Sequence, residues 1–213
     1  MPSKPPPSNC PGVPVTEVLG VGSRVFRVHR EQHSAVAPNP TVPPPSGIGG
    51  SRFDSPDGSY DSLYFADSAE GAIAETLCRE LPLDGAPRLI PRYALTGRRL
   101  SSLKVTASLT FVATHGAALT HLGQDGWLTS SDPVEYSLTR QWAAVIRRWC
   151  PDTDGLAYRC RHDNDRLAYI TWSPVPTLLH PGFSVESAIA LTDPDALTEV
   201  RRVAQAHNAT IAR

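Results

Sequence analysis

The sequence predicts an α+β domain, on two observations. Short β-branched and aromatic runs come in groups instead of alternating one-for-one with helical stretches, which argues against a doubly wound parallel sheet. Two aspartate–proline pairs, Asp132-Pro133 and Asp193-Pro194, open helices late in the chain. The predicted order is strands, a helix, more strands, a long helix, a strand pair and a terminal helix, with no internal repeat.

Residues 1–16 are polar, with four prolines before position 10 and no apolar periodicity, and are expected to be a flexible tail. Residues 17–213 are expected to form a single domain. Ser23–His29 has strand composition. Residues 34–50, with Pro43-Pro44-Pro45, are too long and irregular for a simple turn and are expected to be a loop rimming a site. Leu63–Ala66 is a short buried strand. Asp67 or Ser68 then caps a helix to about Arg79, with Ala69, Ala72, Ile73, Thr76 and Leu77 on one face. Further strands are expected near Arg88–Leu95 and Leu100–Val105. The long helix has an aspartate cap, Pro133 at its first position and Glu135 three residues after the cap, and runs to about Trp149, before Pro151. Gly155–Arg159 and Arg166–Trp172 read as strands joined by a polar turn over His162–Asp165. The final helix is expected over residues 193–209.

A net charge of about −1, with both signs interspersed, provides no field for drawing the chain onto nucleic acid or an anionic membrane. No apolar run approaches the ~20 residues needed to cross a bilayer. The N-terminus lacks the apolar core of a secretory signal, so a cytoplasmic location is expected. Cys10, Cys78, Cys150 and Cys160 are widely scattered without a C-x-x-C, and His115, His121 and His162 have no ligand-like spacing. Reduced thiols and no metal are expected. The Arg140/Arg147/Arg148 set reads as the solvated face of the long helix.

Three polar residues stand out in the middle of the chain. Arg52 follows a glycine pair, Tyr64 lies 12 residues on in an apolar strand, and Glu75 a further 11 on, in the helix after it. Each has a bland alternative: a solvated loop arginine, a core tyrosine, and a surface carboxylate paired with Arg79 one helical turn away. Together, a guanidinium, an aromatic face and a carboxylate suit holding a phosphate, stacking a ring and stabilising developing positive charge.

The linear pattern is more specific than the single residues. Gly49-Gly50-Ser51-Arg52-Phe53-Asp54, Leu63-Tyr64-Phe65-Ala66-Asp67-Ser68 and Ala72-Ile73-Ala74-Glu75 resemble the RES family. Phe26-Arg27 and Gly155-Leu156-Ala157-Tyr158-Arg159-Cys160-Arg161 extend the resemblance over roughly residues 23–172. The best-known members of that family are toxins of toxin–antitoxin pairs whose antitoxin carries an Xre-type helix-turn-helix. The resemblance implies an ADP-ribosyltransferase-like α+β fold, a central split β-sheet core with flanking helices. It also implies destruction of NAD as substrate, with no cofactor. Carried over, Arg27 and Arg52 clamp the pyrophosphate, Tyr64 stacks beside the nicotinamide, and Glu75 faces the ribose whose bond to nicotinamide breaks. That cleavage builds oxocarbenium character, which a carboxylate stabilises, and nicotinamide leaves without a strong general acid.

The chain departs from the family pattern in two places. Cys160 stands where the family has a serine, and a thiol is a weaker hydrogen-bonding group. Ser137, at the start of the long helix, is the alternative hydroxyl. The frequent Arg-Trp-Asn is here Arg52-Phe53-Asp54, with an acid beside the phosphate arginine. Water and phosphate are both candidate acceptors, and both a monomer and a homo-oligomer are compatible with the sequence. An ADP-ribosyltransferase acting on a macromolecule, or an inactive NAD- or partner-binding domain, are the alternatives. Related transferases often carry a glutamate or glutamine two residues before the catalytic glutamate, where this chain has Ile73.

Overall fold

A computed structural model describes residues 5–39, 49–175 and 177–212. Part of the proline-rich loop, residues 40–48, lies outside them.

Eight strands form one sheet: β1 (Thr16–Leu19), β2 (Arg24–Arg30), β3 (Asp61–Ala66), β5 (Arg98–Val105), β6 (Leu109–Ala113), β7 (Gly155–Cys160), β8 (Asp163–Ser173) and β9 (Phe183–Ala190). Their order is β1-β6-β7-β8-β3-β2-β5-β9. Only β6 and β7 pair in parallel; the other neighbours are antiparallel. The middle of the sheet is nearly parted. β2 and β3 share a single register pair, Phe26↔Ala66, whereas β2 follows β5 over seven pairs and β3 follows β8 over six. Residues 34–39 run along the gap, where Asn39 bridges Ser62. This is the α+β class that the sequence predicts, with the split central sheet that the resemblance implies.

Period-two alternation gives the sheet two apolar faces. Leu156, Tyr158, Cys160, Ala168, Ile170 and Trp172 face helix α4 (Tyr136–Trp149) and its buried Trp142, Ala143 and Ile146. Ala157, Tyr169, Phe65, Phe111 and Phe183 form the opposite core, where Phe65 stacks on Tyr169 with ring centroids 5.2 Å apart. In a third cluster, Ile73, Leu77 and Cys78 pack against Val200, Val203 and Ala204 of α5 (Pro194–Ala206). Two single-turn helices, α2 (Ala118–His121) and α3 (Trp127–Ser130), precede α4.

The helix after β3 begins as the sequence suggests: the Ser68 side chain accepts from Gly71 N at 3.1 Å. It runs as α1 (Ala69–Ile73) and then widens into a π-helical turn over Ala74–Cys78. The long helix opens with a 3₁₀ turn, Pro133–Glu135, with the expected capping box between Asp132 and Glu135.

Several boundaries differ from the expectation. The stretch expected as one strand to Leu95 is only β4 (Arg88–Ile90), because Pro91 has no N–H for a ladder and introduces a 3₁₀ turn. The terminal helix stops at Ala206: Asn208 takes φ +50°, and Ala209–Ile211 becomes β10, parallel to β4. β8 already begins at Asp163, so the turn before it is shorter than expected. Thr16, placed in the tail by sequence, opens β1. Ahead of it, Trp149 Nε1 donates to the Ser8 carbonyl at 3.3 Å.

Candidate active site

The gap between β2 and β3 opens as a cleft of about 610 Å³. Arg27 reaches it from β2, Tyr64 from β3, Glu75 from the π turn and Arg79 from just after it, with Ser51 and Tyr158 also in the wall. Three of the residues singled out by sequence, Arg27, Tyr64 and Glu75, therefore meet in one cavity.

Glu75 sits where the helix is wound most widely. A π turn inside an α-helix is uncommon and recurs at functional sites, because it re-aims one side chain without ending the helix. Its Oε1 accepts from the backbone N–H of Arg161 at 2.6 Å, just past the end of β7. Arg161 is held in turn by ion pairing with Asp132, at the start of the long helix, so two elements converge on the carboxylate. The surface pair of Glu75 with Arg79 is not what the structure shows: Arg79 Nη2 pairs with Glu80 at 2.9 Å. Arg79 Nε is buried and without a partner, while its carbonyl accepts from His162 Nε2 at 3.0 Å.

Tyr64 is locked at its hydroxyl, which donates to Asp54 Oδ1 at 2.9 Å and accepts from Phe53 N at 3.1 Å. Asp54 Oδ2 accepts from Ser51 N at 2.6 Å, which closes the turn that carries Arg52. The acid beside Arg52 thus serves the tyrosine and the turn. Burial raises the Asp54 carboxyl above its ordinary range, and burial together with Asp54's charge raises the Tyr64 phenol.

Arg27 Nη1 donates to the carbonyls of Ala35 and Ala37, both at 2.8 Å, and burial lowers its pKa to about 10. Arg52 is only 2% exposed and does not line the cleft. Its guanidinium lies 5.8 Å from the ring centroids of Phe53, Tyr136 and Tyr158. Thr139 Oγ1 donates to the Arg52 carbonyl at 2.6 Å, while Nε and Nη2 have no partner.

Cys160 and Ser137 are not brought to the cleft lining. Cys160 is fully buried at the end of β7, its thiol pushed up by burial and then by Glu75, and it packs against the Trp142 core. Ser137 is exposed on the first turn of α4. Sequence reasoning missed Arg161, Tyr158 and Asp54 as supports of the site. Tyr158 and Arg161 lie inside the Gly155–Arg161 segment, but a backbone N–H that grips a carboxylate leaves no sequence signal.

A family model described as "RES domain" matches residues 24–206. Among solved structures, the chain is similar to one in the crystal structure of the M. tuberculosis MbcT–MbcA toxin–antitoxin complex. The TM-score is 0.59 with 17% identity, covering 87% of this chain and 92% of that one. The search of curated proteins gave no match. With the family model spanning most of the domain and the split-sheet fold in agreement, this chain belongs to the RES domain family.

Proposed function

We propose that the cleft cleaves the nicotinamide–ribose bond of NAD, in a toxin-like role. The observation that carries this reading is the convergence of Arg27, Tyr64 and Glu75, from three separate segments, on one cleft at the split of the sheet. Glu75, fixed through one oxygen by Arg161 N, stabilises the oxocarbenium character that develops on the ribose. Tyr64 presents its ring edge-locked by Asp54, beside the departing nicotinamide. Arg27, oriented by two loop carbonyls, meets the pyrophosphate. Arg52 backs the site from behind the wall, its buried guanidinium set among the rings of Phe53, Tyr136 and Tyr158, the last of which lines the cleft. Water and phosphate are the acceptors under this reading.

Transfer to a macromolecule is disfavoured by Ile73. It is 0% exposed in the apolar cluster under α5, so the position two residues before Glu75 has no route to an acceptor. Membership of the family and likeness to a chain of a toxin–antitoxin complex support an antitoxin partner, which we infer to be an Xre-type helix-turn-helix protein that covers the cleft. Among the described residues no helix is long and apolar enough to cross a membrane. The test is NAD consumption by purified chain beside Glu75→Gln, with nicotinamide and ADP-ribose (or its 1″-phosphate) identified as products. The variant is expected to lose at least about a hundredfold in rate while remaining folded. Label appearing on protein instead would favour the transferase.

A further inference from the structure

The cleft carries more positive charge than the proposed reaction uses. Arg30, the last residue of β2, pairs directly across the ladder with Arg98, the first residue of β5. Like charges facing each other across a ladder repel. Neither arginine forms an ion pair with a carboxylate among the described residues. Of the nearby acids, Glu80 pairs with Arg79, and Glu31, whose Oε1 lies by Gly97, pairs with neither arginine. Arg98 is half-buried and anchored, with Nη1 donating to the Ala94 carbonyl. Burial, and then the charge of Arg30, push its guanidinium below the ordinary arginine range. Both arginines line the same cleft as Arg27, Tyr64 and Glu75, and His29 and His33 stand with them.

Position narrows the ligand. Arg30 lies three residues beyond Arg27 along β2, roughly 10 Å at the ~3.3 Å rise of a strand. Three residues is an odd step, so the two side chains leave opposite faces of β2, and the arginine pair is an anion site apart from Arg27 on the wall of the same cleft. Two arginines paired across the ladder suit a phosphate dianion far better than a ribose hydroxyl, and an arginine near the 2′ position is how a dinucleotide site accommodates a 2′-phosphate.

We propose that Arg30 and Arg98 form a second anion subsite of this cleft, taking a phosphate dianion borne on the adenosine ribose of NADP or supplied free as inorganic phosphate. The proposal rests on the reading of the cleft as a dinucleotide site. Calorimetry on the full chain compares adenosine 2′,5′-bisphosphate, adenosine 5′-monophosphate and inorganic phosphate. The proteins are wild type, Arg30→Gln, Arg98→Gln and Arg98→Lys. The bisphosphate is expected to bind at least about tenfold more tightly than the monophosphate. Either glutamine variant should erase most of that preference, and Arg98→Lys should keep part of it. Inorganic phosphate binding with the same arginine dependence, and no preference between the nucleotides, assigns the subsite to free phosphate. Equal affinities without arginine dependence overturn it. Arg30 is exposed, so its variant carries the test if Arg98→Gln misfolds. NADP and NAD turnover measured alongside separates the two readings. A retained bisphosphate preference without NAD loss sinks the proposed reaction alone, and NAD loss with neither that preference nor arginine-dependent phosphate binding sinks the subsite alone.

Discussion

Tyr64 shows how a core residue and a site residue are the same atom set. Its ring faces the cleft, while its hydroxyl holds both Asp54 and Phe53 N inside the protein. Tyr64→Phe keeps the ring but leaves Asp54 and the Phe53 N–H short of a partner. A loss of about 1–3 kcal/mol in stability is expected, read by urea unfolding. A change below about 0.5 kcal/mol would show that the hydroxyl is not the strut described. Asp54→Asn, whose single amide oxygen can still accept from Ser51 N while the bond from Tyr64 is lost, should be milder than Asp54→Ala, and the reverse order would contradict the turn geometry. From sequence, Tyr64 and Glu75 were legible as a pattern. Asp54 was legible only as a departure, because its partners lie across the fold.

At the scale of elements, β7 and the π turn decide where the carboxylate stands. Gly155 opens β7, and a Cβ there would lie 1.8 Å from the Ile170 carbonyl on β8. Gly155→Ala cannot be accommodated without parting these strands, so a loss above about 4 kcal/mol or failure to fold is expected, checked by soluble yield and circular dichroism. A stable, native-like variant would refute the close approach. Ser68→Ala should cost only about 1 kcal/mol, the ordinary worth of a cap. The helix starts were readable because caps are local chemistry. The π winding was not, since a helical wheel assumes regular α geometry while the wider turn is fixed by packing against β7 and α5. β9 was missed for a related reason: it is an edge strand with exposed Ser184, Glu186 and Ser187, and Ser187 interrupts the alternation of Phe183, Val185 and Ile189.

For the whole molecule, the sequence grouping of strands and helices was enough for the α+β class. The parting of the sheet at Phe26↔Ala66 was not visible in composition and entered only through the family resemblance. The fold also carries a pH signature. His29, His162 and His180 are all held below the ordinary 6.5 by burial first. Their folded forms bind fewer protons than the unfolded chain, so their contribution is intact above pH 6.5 and is lost as pH falls through that value towards the folded pKa. Melting temperature should therefore drop between pH 7 and 5.5, and less steeply in His29→Gln, whose amide can still meet Ser101 Oγ, 2.8 Å from His29 Nε2. A melting temperature that is flat or rises over that range would contradict this account.

The most direct test of the central claim is NAD loss catalysed by the purified, folded chain, with and without phosphate, beside Glu75→Gln. Rapid release of nicotinamide that the variant abolishes is the predicted result, with phosphate dependence identifying the acceptor. A folded, inhibitor-free wild type that leaves NAD intact would contradict it.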